Sequence, residues 1–325
     1  MAKRKPTYRV RNWSKYNKSL VQRGSLTVWV SPEVMAAWTR VPPSGKRGHP
    51  QTYSAIAIEC MATLRAVYHL AQRATQGLLS SIFELMGMHV SVPSYSTLSR
   101  RQQTLEVQLP KRKPGESVHV VVDSTGVKVF GEGEWKVRQH GYTKRRTWKK
   151  LHVGVDEATG HILAVTVTDN SVADHDELPG LLEQIDEPVV QVSADGAYDK
   201  RKSYEAIRKR KAKATIPPRR GARIWQQGNS KQERLIRDEN LRTIRKYGRK
   251  AWKHSSGYHR RSLAETTMSR FKRILGPAIS ARTFASQTTE IKVRCKILNT
   301  MTQLGTPDTL ISLWGRSAPG IGKYF

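Results

Sequence analysis

Cysteine is nearly absent from this 325-residue chain, which holds only Cys60 and Cys295. Each falls on an apolar helical stripe, where cysteine behaves as a small buried hydrophobe. Two such distant thiols cannot complete a zinc-finger ligand set, and they do not form the framework of a small secreted domain. Acid is also scarce: 26 Asp and Glu stand against 57 Lys and Arg, a formal charge of +31. That imbalance suits a polyanion binder and fits a small-molecule enzyme poorly. No stretch approaches the roughly 18 apolar residues of a membrane span. The basic segment 1–23 lacks the apolar core of a signal peptide. Neither a zinc-ligand spacing of histidines nor a phosphate-cradling glycine loop occurs. These absences leave a cytoplasmic setting and nucleic acid as the expected partner.

What is present divides near residue 115. Residues 1–115 read as a mostly helical domain. Ser31-Pro32-Glu33 supplies a cap and a first-turn proline for one short helix. From Tyr53 to Met86 the apolar residues recur at helical spacing, with a break expected near Thr75-Gln76-Gly77. After Pro93, Ser94 offers an N-cap for a short helix carrying Tyr95, Arg100 and Arg101. An apolar helix, a turn and a short polar helix form a helix-turn-helix-like arrangement, whose last helix would meet DNA. An ordinary helical bundle with a polar surface helix reads equally well.

Lys111-Arg112-Lys113-Pro114-Gly115 reads as a linker, and beyond it the period changes to that of strands. Val118, Val120 and Val122 alternate, as do Leu151, Val153 and Val155, and a third strand covers 162–168. Asp156 to Gly160 makes a hairpin turn between the last two. Asp174 is expected to cap a helix through Leu178, Leu181, Leu182 and Ile185. A strand over 189–193, a helix over 200–210 and a strand over 212–216 follow. Three strands, helix, strand, helix, strand is the element order of the ribonuclease-H-like fold. The fold class expected is therefore α/β, a mixed five-stranded sheet flanked by helices. This catalytic domain would occupy 116–315, with a short insertion over about 217–255 and a tail over 316–325.

Asp123 and Asp195 each stand just beyond an apolar strand, and the ribonuclease-H-like order would place those strands side by side. Glu265 belongs to the helical stretch from Tyr258 to Lys272. At about 100° per residue, with Arg261 as zero, Tyr258 falls near 60°, Glu265 near 40° and Lys272 near 20°. A carboxylate sharing a stripe with Arg, Lys and Tyr suits a metal ligand with phosphate-holding neighbours. Two structural readings compete for Glu265: the capping box Ser262-x-x-Glu265, and an ion pair with Arg261 one turn back. Joint occurrence with Asp123 and Asp195 favours the metal site.

The spacing Tyr258, Arg261, Glu265, Lys272 resembles in full the Tyr-Arg-Glu-Lys signature of DDE transposases of bacterial insertion sequences. Val122-Asp123-Ser124-Thr125-Gly126 is similar to the first-aspartate motif, and Ala194-Asp195-Gly196-Ala197-Tyr198-Asp199 to the second. Asn12-Trp13-Ser14-Lys15-Tyr16-Asn17 looks like the start of transposases of the insertion-sequence-five family. The resemblance runs from about residue 12 to about 305. It implies a catalytic and metal-binding triad of Asp123, Asp195 and Glu265 that holds two Mg²⁺, with Mn²⁺ as a substitute. Asp123 would touch both ions. It further implies an enzyme that cleaves at transposon terminal repeats and transfers the released strand into target DNA. Double-stranded DNA would be the partner, and a homodimer or larger assembly would bring two ends together, associated with the bacterial nucleoid and not with a membrane. Tyr258, Arg261 and Lys272 are assigned to DNA. Lys149 and Lys150 are weaker assignments of the same kind, as are Tyr95, Arg100 and Arg101. Trp225 and Trp252 lie in an interval too short for a large inserted subdomain, so ordinary packing is expected of them. The alternatives are a transposase-derived DNA-binding protein with a dead site and a structure-selective ribonuclease-H-like nuclease.

Overall fold

The computed structural model describes residues 7–41, 50–110, 116–129, 148–226 and 234–312. A short strand, β1 (Thr7–Val10), precedes six helices: α1 (Trp13–Gln22), α2 (Leu26–Trp29), α3 (Pro32–Ala36), α4 (Ala55–Val67), α5 (Gln72–Leu85) and α6 (Tyr95–Arg101). Ser31, Ser54 and Ser94 begin α3, α4 and α6, each hydroxyl accepting a backbone N–H three residues on. This satisfies a donor that a helix start otherwise leaves open. The break between the two long helices is not near Gly77, which lies inside α5; it falls at His69, where φ is +54°, and the two residues after it. Burial overrides the weak propensity of Thr75-Gln76-Gly77. Thr75, Leu79 and Phe83 share the inner face of α5, and their packing outweighs the ~1 kcal/mol that glycine costs a helix.

The sheet then forms from β2 (Val118–Val129), β3 (Trp148–Asp156), β4 (Ile162–Asp169), β5 (Val189–Ser193) and β6 (Lys213–Thr215). Its order is β4-β3-β2-β5-β6, and β7 (Ala278–Ile279) adds to the far end of β2. β2, β3 and β4 are antiparallel neighbours, whereas β5 and β6 run parallel to β2. This is the mixed sheet of a ribonuclease-H-like fold. α7 (Asp174–Glu183) and α8 (Arg201–Lys209) cover one face, where Leu178, Leu181 and Ile207 join Val118, Val120 and Val122 in one core. Asp174 is not the cap of α7. Ala173 holds that position without a side-chain bond, and Asp174 pairs instead with Lys150.

Between β6 and the last helices come α9 (Ile236–Tyr247) and α10 (Arg249–Ser255). α11 (Ser262–Leu275) and α12 (Phe284–Leu304) cover the opposite sheet face. Val121, Leu151 and Val153 meet Phe271, Leu275 and Ile297 there, and the same apolar cluster runs on through Ile58, Leu64 and Leu98 of the N-terminal helices. Each such fully buried aliphatic side chain contributes about 1.5–3 kcal/mol. β8 (Thr309–Ser312) returns to pair with β1, and the Asn12 side chain bonds Thr306 O and Asp308 N. Sequence reading expects no strand at either place, since two four-residue strands find each other only across almost the whole chain. The expected linker at 111–115 and the tail at 316–325 lie outside the described residues. Among those residues, no helix is long and apolar enough to cross a membrane.

Candidate active site

Parallel pairing brings the two aspartates together. Val121 of β2 stands opposite Ser193 of β5, and Asp123 and Asp195 each lie two residues further on, so equal offsets set them side by side. Asp195 lies just past the end of β5. Asp123 is internal to β2, opposite Val153 of β3, and not beyond a strand as its apolar run suggests, because β2 continues its pairing to Lys128. Asp123 Oδ1 accepts from Ser124 N–H at 2.9 Å. Asp195 Oδ1 accepts from Ala197 N–H at 2.9 Å and so caps the turn Gly196–Tyr198. Backbone donors thereby fix the direction of both carboxylates. Glu265 sits in the first turn of α11, 54% exposed at its side chain.

Arg261 ties Glu265 to Asp123. Its Nη1 lies 3.4 Å from Asp123 Oδ2, while Nη2 donates to Glu265 Oε1. The ion-pair reading of Glu265 is therefore present, and the capping box is not. Ser262 is the first helical residue, Arg261 occupies the cap position, and no side chain caps α11. The single stripe also changes, because Tyr258–Arg261 is a separate 3₁₀ turn entered through Gly257 at φ +71°. That left-handed value favours glycine.

Burial raises the Asp123 carboxyl above its ordinary range, and the charges of Asp195 and Glu265 push the same way, against Ser124 N–H and Arg261. Asp123 thus senses the charge of the other two acids. Burial also raises Tyr198, with Asp174, Asp123 and Asp195 adding to it; its hydroxyl is buried and finds no partner among the described residues. Among the described residues, however, no three Asp, Glu, His or Cys side chains stand close enough to hold one ion. The expected closed ligand set is not formed, because a guanidinium lies between Asp123 and Glu265. The donor set still fits a hard divalent cation: all three groups are carboxylates, and a positive group already sits between two of them.

Lys272 Nζ donates to Thr125 Oγ1 at 2.6 Å, which holds it beside the first-aspartate strand. The Tyr258 ring lies 5.8 Å from Trp252, with Lys253 at 5.1 Å and Arg261 at 5.7 Å over its face. Lys149 pairs with Asp169, and Lys150 with Asp174 and Val172 O, so both neutralise local acids. Arg101 donates to Tyr53 O, whereas Tyr95 and Arg100 are exposed on α6. The tryptophans pack as expected: Trp252 is buried, and Trp225 lies 3.8 Å from the Arg237 guanidinium.

One group of residues escapes sequence reading altogether. Arg237, 4% exposed at its side chain, bonds both oxygens of Asp199 and one of Asp238. Asp199 Oδ2 also accepts from Arg219 N–H, and Arg219 Nε donates to Gly196 O. The network clamps the loop that presents Asp195. Asp199 is visible inside the second-aspartate motif, but nothing in the sequence marks Arg237 as its partner.

Two family models described as "Transposase DDE domain" match the chain, one over residues 21–132 and one over residues 114–300. Among solved structures, a piggyBac transposase synaptic complex with hairpin DNA is similar at 10% identity, covering 92% of this chain and 76% of that one with a TM-score of 0.35. A chain of the simian T-cell lymphotropic virus intasome in complex with PP2A regulatory subunit B56 gamma is similar at 18% identity, over 48% of this chain with a TM-score of 0.21. The chain spans about half of that relative, 51% of its length. The longer family match covers more than half of the chain and contains Asp123, Asp195 and Glu265 together, and the chain belongs to the DDE transposases.

Proposed function

We propose that this chain is an active transposase of a bacterial insertion sequence, of the insertion-sequence-five family and its Tyr-Arg-Glu-Lys branch. In this reading it binds the terminal inverted repeats, hydrolyses a phosphodiester there and joins the released 3′-hydroxyl to target DNA. What supports the reading is that Arg261 joins Asp123 to Glu265, that Asp195 follows the strand paired with the strand of Asp123, and that Lys272 bonds Thr125 two residues from Asp123. Divalent ions, Mg²⁺ or Mn²⁺, would supply the charge stabilisation that in-line displacement at phosphorus needs. Asp123, Asp195 and Glu265 are the residues to hold them.

The chain's own residues set the stage. Asp123 and Asp195 are pre-aimed by backbone N–H groups, so little ordering is left to be done when substrate arrives. Arg261 must leave Asp123 and Glu265 before they can act as ligands, and its planar fork is then free for a phosphate. Lys272, fixed by Thr125, offers a second positive charge near Asp123. Tyr258 contributes a hydroxyl on the same side. Two ends must be brought together, so the working form is a homodimer or larger, acting on nucleoid DNA in the cytoplasm.

The test uses DNA carrying the inverted repeats that flank the gene. Wild type should nick and join it with Mg²⁺, while Asp195→Ala should bind it and leave it uncut. Cutting of branched DNA without end preference would instead favour a structure-selective nuclease. Tight binding with no cutting by wild type would favour a DNA-binding descendant with a dead site.

A further inference from the structure

A cleft of about 1120 Å³ opens between the N-terminal helices and the segment Ser280–Thr283 that leads into α12. Leu275 lines it, ten residues and therefore about 15 Å along α11 from Glu265. One face of α6, with Tyr95, Ser99 and Arg100, forms a wall, while Leu98 on the other face is buried. Gln102 anchors α6 by donating to Ser286 O of α12 at 3.5 Å. The exposed face of this helix therefore looks onto the catalytic part across the cleft.

Charge in the cleft is one-sided. Arg73, Arg100 and Arg282 are exposed, come from three separate segments, and line the same space. Glu290 is the one carboxylate among the lining residues, and it is already engaged by Ser280 N–H, Ala281 N–H and Arg294. α5 starts here behind Ala71, which has no capping side chain, so its first N–H groups add to the positive field. Among the described residues that line the cleft, Tyr95 is the one Phe, Tyr or Trp, and its ring is stacked on Arg73 at 4.6 Å. A single-strand channel needs a run of free stacking platforms, which the described lining does not supply. Opposed cations without platforms suit the phosphates of a duplex.

We propose that this cleft grips the sugar–phosphate backbone of double-stranded DNA, so that α6 and Arg282 hold the same duplex within one protomer. The proposal rests on the transposase reading and gives it a path from the end-binding helices toward Glu265. Arg100 and Arg282 act as the two jaws. Each neutralised phosphate releases condensed counterions and steepens the salt dependence of binding by about 0.9 in log–log slope.

Fluorescence anisotropy with a fluorescein-labelled 30-base-pair duplex of random sequence, and with one of its strands alone, tests this between 50 and 200 mM salt. The double variant Arg100→Ala, Arg282→Ala should lose about 1.8 of the duplex slope and bind about tenfold more weakly at 100 mM. Lys15→Ala, Lys18→Ala on α1 removes equal charge elsewhere and should change the slope by less than half as much. Both jaws are exposed, so the melting temperature should stay put. An unchanged slope in the cleft variant, with wild type binding duplex normally, overturns the cleft and leaves the transposase reading standing. So does an equal loss in the α1 variant, or a larger loss on the single strand than on duplex. Wild type that binds neither probe removes both the cleft and the reading beneath it.

Discussion

Arginine means opposite things at the two ends of α11. Around the two aspartates it is spent on acids: Arg261 reaches Asp123 and Glu265, and Arg237 is enclosed by Asp199 and Asp238. Across the cleft, Arg100 and Arg282 are exposed, and neither forms an ion pair with a carboxylate among the described residues. In the first region each arginine is shared between two carboxylates and is held in place without ligand. The second carries charge that no carboxylate among the described residues pairs with. In a chain of net charge +31, then, counting cations says little, and finding which of them lack an acid says much.

The sharpest way to break this comparison is to delete one arginine from each region and measure stability alone. Arg237→Ala leaves Asp199 and Asp238 buried without their partner, at 2% and 1% side-chain exposure. Removing one member of such a group costs about 3–5 kcal/mol. Arg100→Ala, by contrast, should stay within about 0.5 kcal/mol of wild type, as exposed substitutions do. Urea denaturation measures both. Equal losses would erase the distinction, and a harmless Arg237→Ala would show that the Asp195 loop does not depend on its clamp.

Acid should also strike the region around the two aspartates first. His152, fully buried on β3, shares a hydrogen bond between Nε2 and Thr168 Oγ1 at 2.9 Å, and its Nδ1 has no partner among the described residues. Burial is the main reason its pKa falls to about 4. A histidine whose folded pKa is lowered takes up protons more readily when unfolded, so stability is intact above the unfolded value near 6.5 and is lost as pH falls toward 4. The full difference is on the order of 3 kcal/mol. Urea midpoints at pH 7.5 and 4.5 should separate wild type from His152→Gln, with wild type losing more. A variant that loses as much as wild type would place the acid sensitivity elsewhere.

The sequence makes legible whatever depends on local period or equal offset. Valine alternation marks β2, and the likeness of the element order to the ribonuclease-H-like fold is what sets β2 beside β5 and Asp123 near Asp195, as the strand pairing has it. The Arg261–Glu265 pair is likewise written at i and i+4. What is hidden depends on contacts between distant segments. The stretch from Tyr258 to Lys272 is a 3₁₀ turn up to Arg261 and an α-helix only from Ser262, and packing moves the break between α4 and α5 from Gly77 to His69. Arg237 meets Asp199 only because α9 folds back over the second-aspartate loop. The cleft, too, depends on contacts between distant segments, with α6 held by buried Leu98 and by the Gln102 bond to α12, although both of its jaws are plain arginines in the sequence.

The smallest expected effect probes the acids themselves. Asp123 has its carboxyl raised by burial first and by Asp195 and Glu265 after that. A raised folded value means that the folded state holds the proton more firmly. Stability is therefore full below the ordinary carboxylate value and falls as pH climbs through the raised one. Near pH 7 the ionised group is a cost, partly offset by Arg261. Asp123→Asn removes that cost and should raise the metal-free melting temperature slightly, by about 2 °C for a change near 1 kcal/mol. Mg²⁺ or Mn²⁺ should raise the melting temperature of wild type by offsetting the same repulsion, and Asp123→Asn should lose part of that shift. The triple variant Asp123→Asn, Asp195→Asn, Glu265→Gln should lose it entirely. If metal stabilises the triple variant as much as wild type, the ions bind elsewhere and the three acids lose their assignment, while the unpaired arginines of the cleft keep theirs.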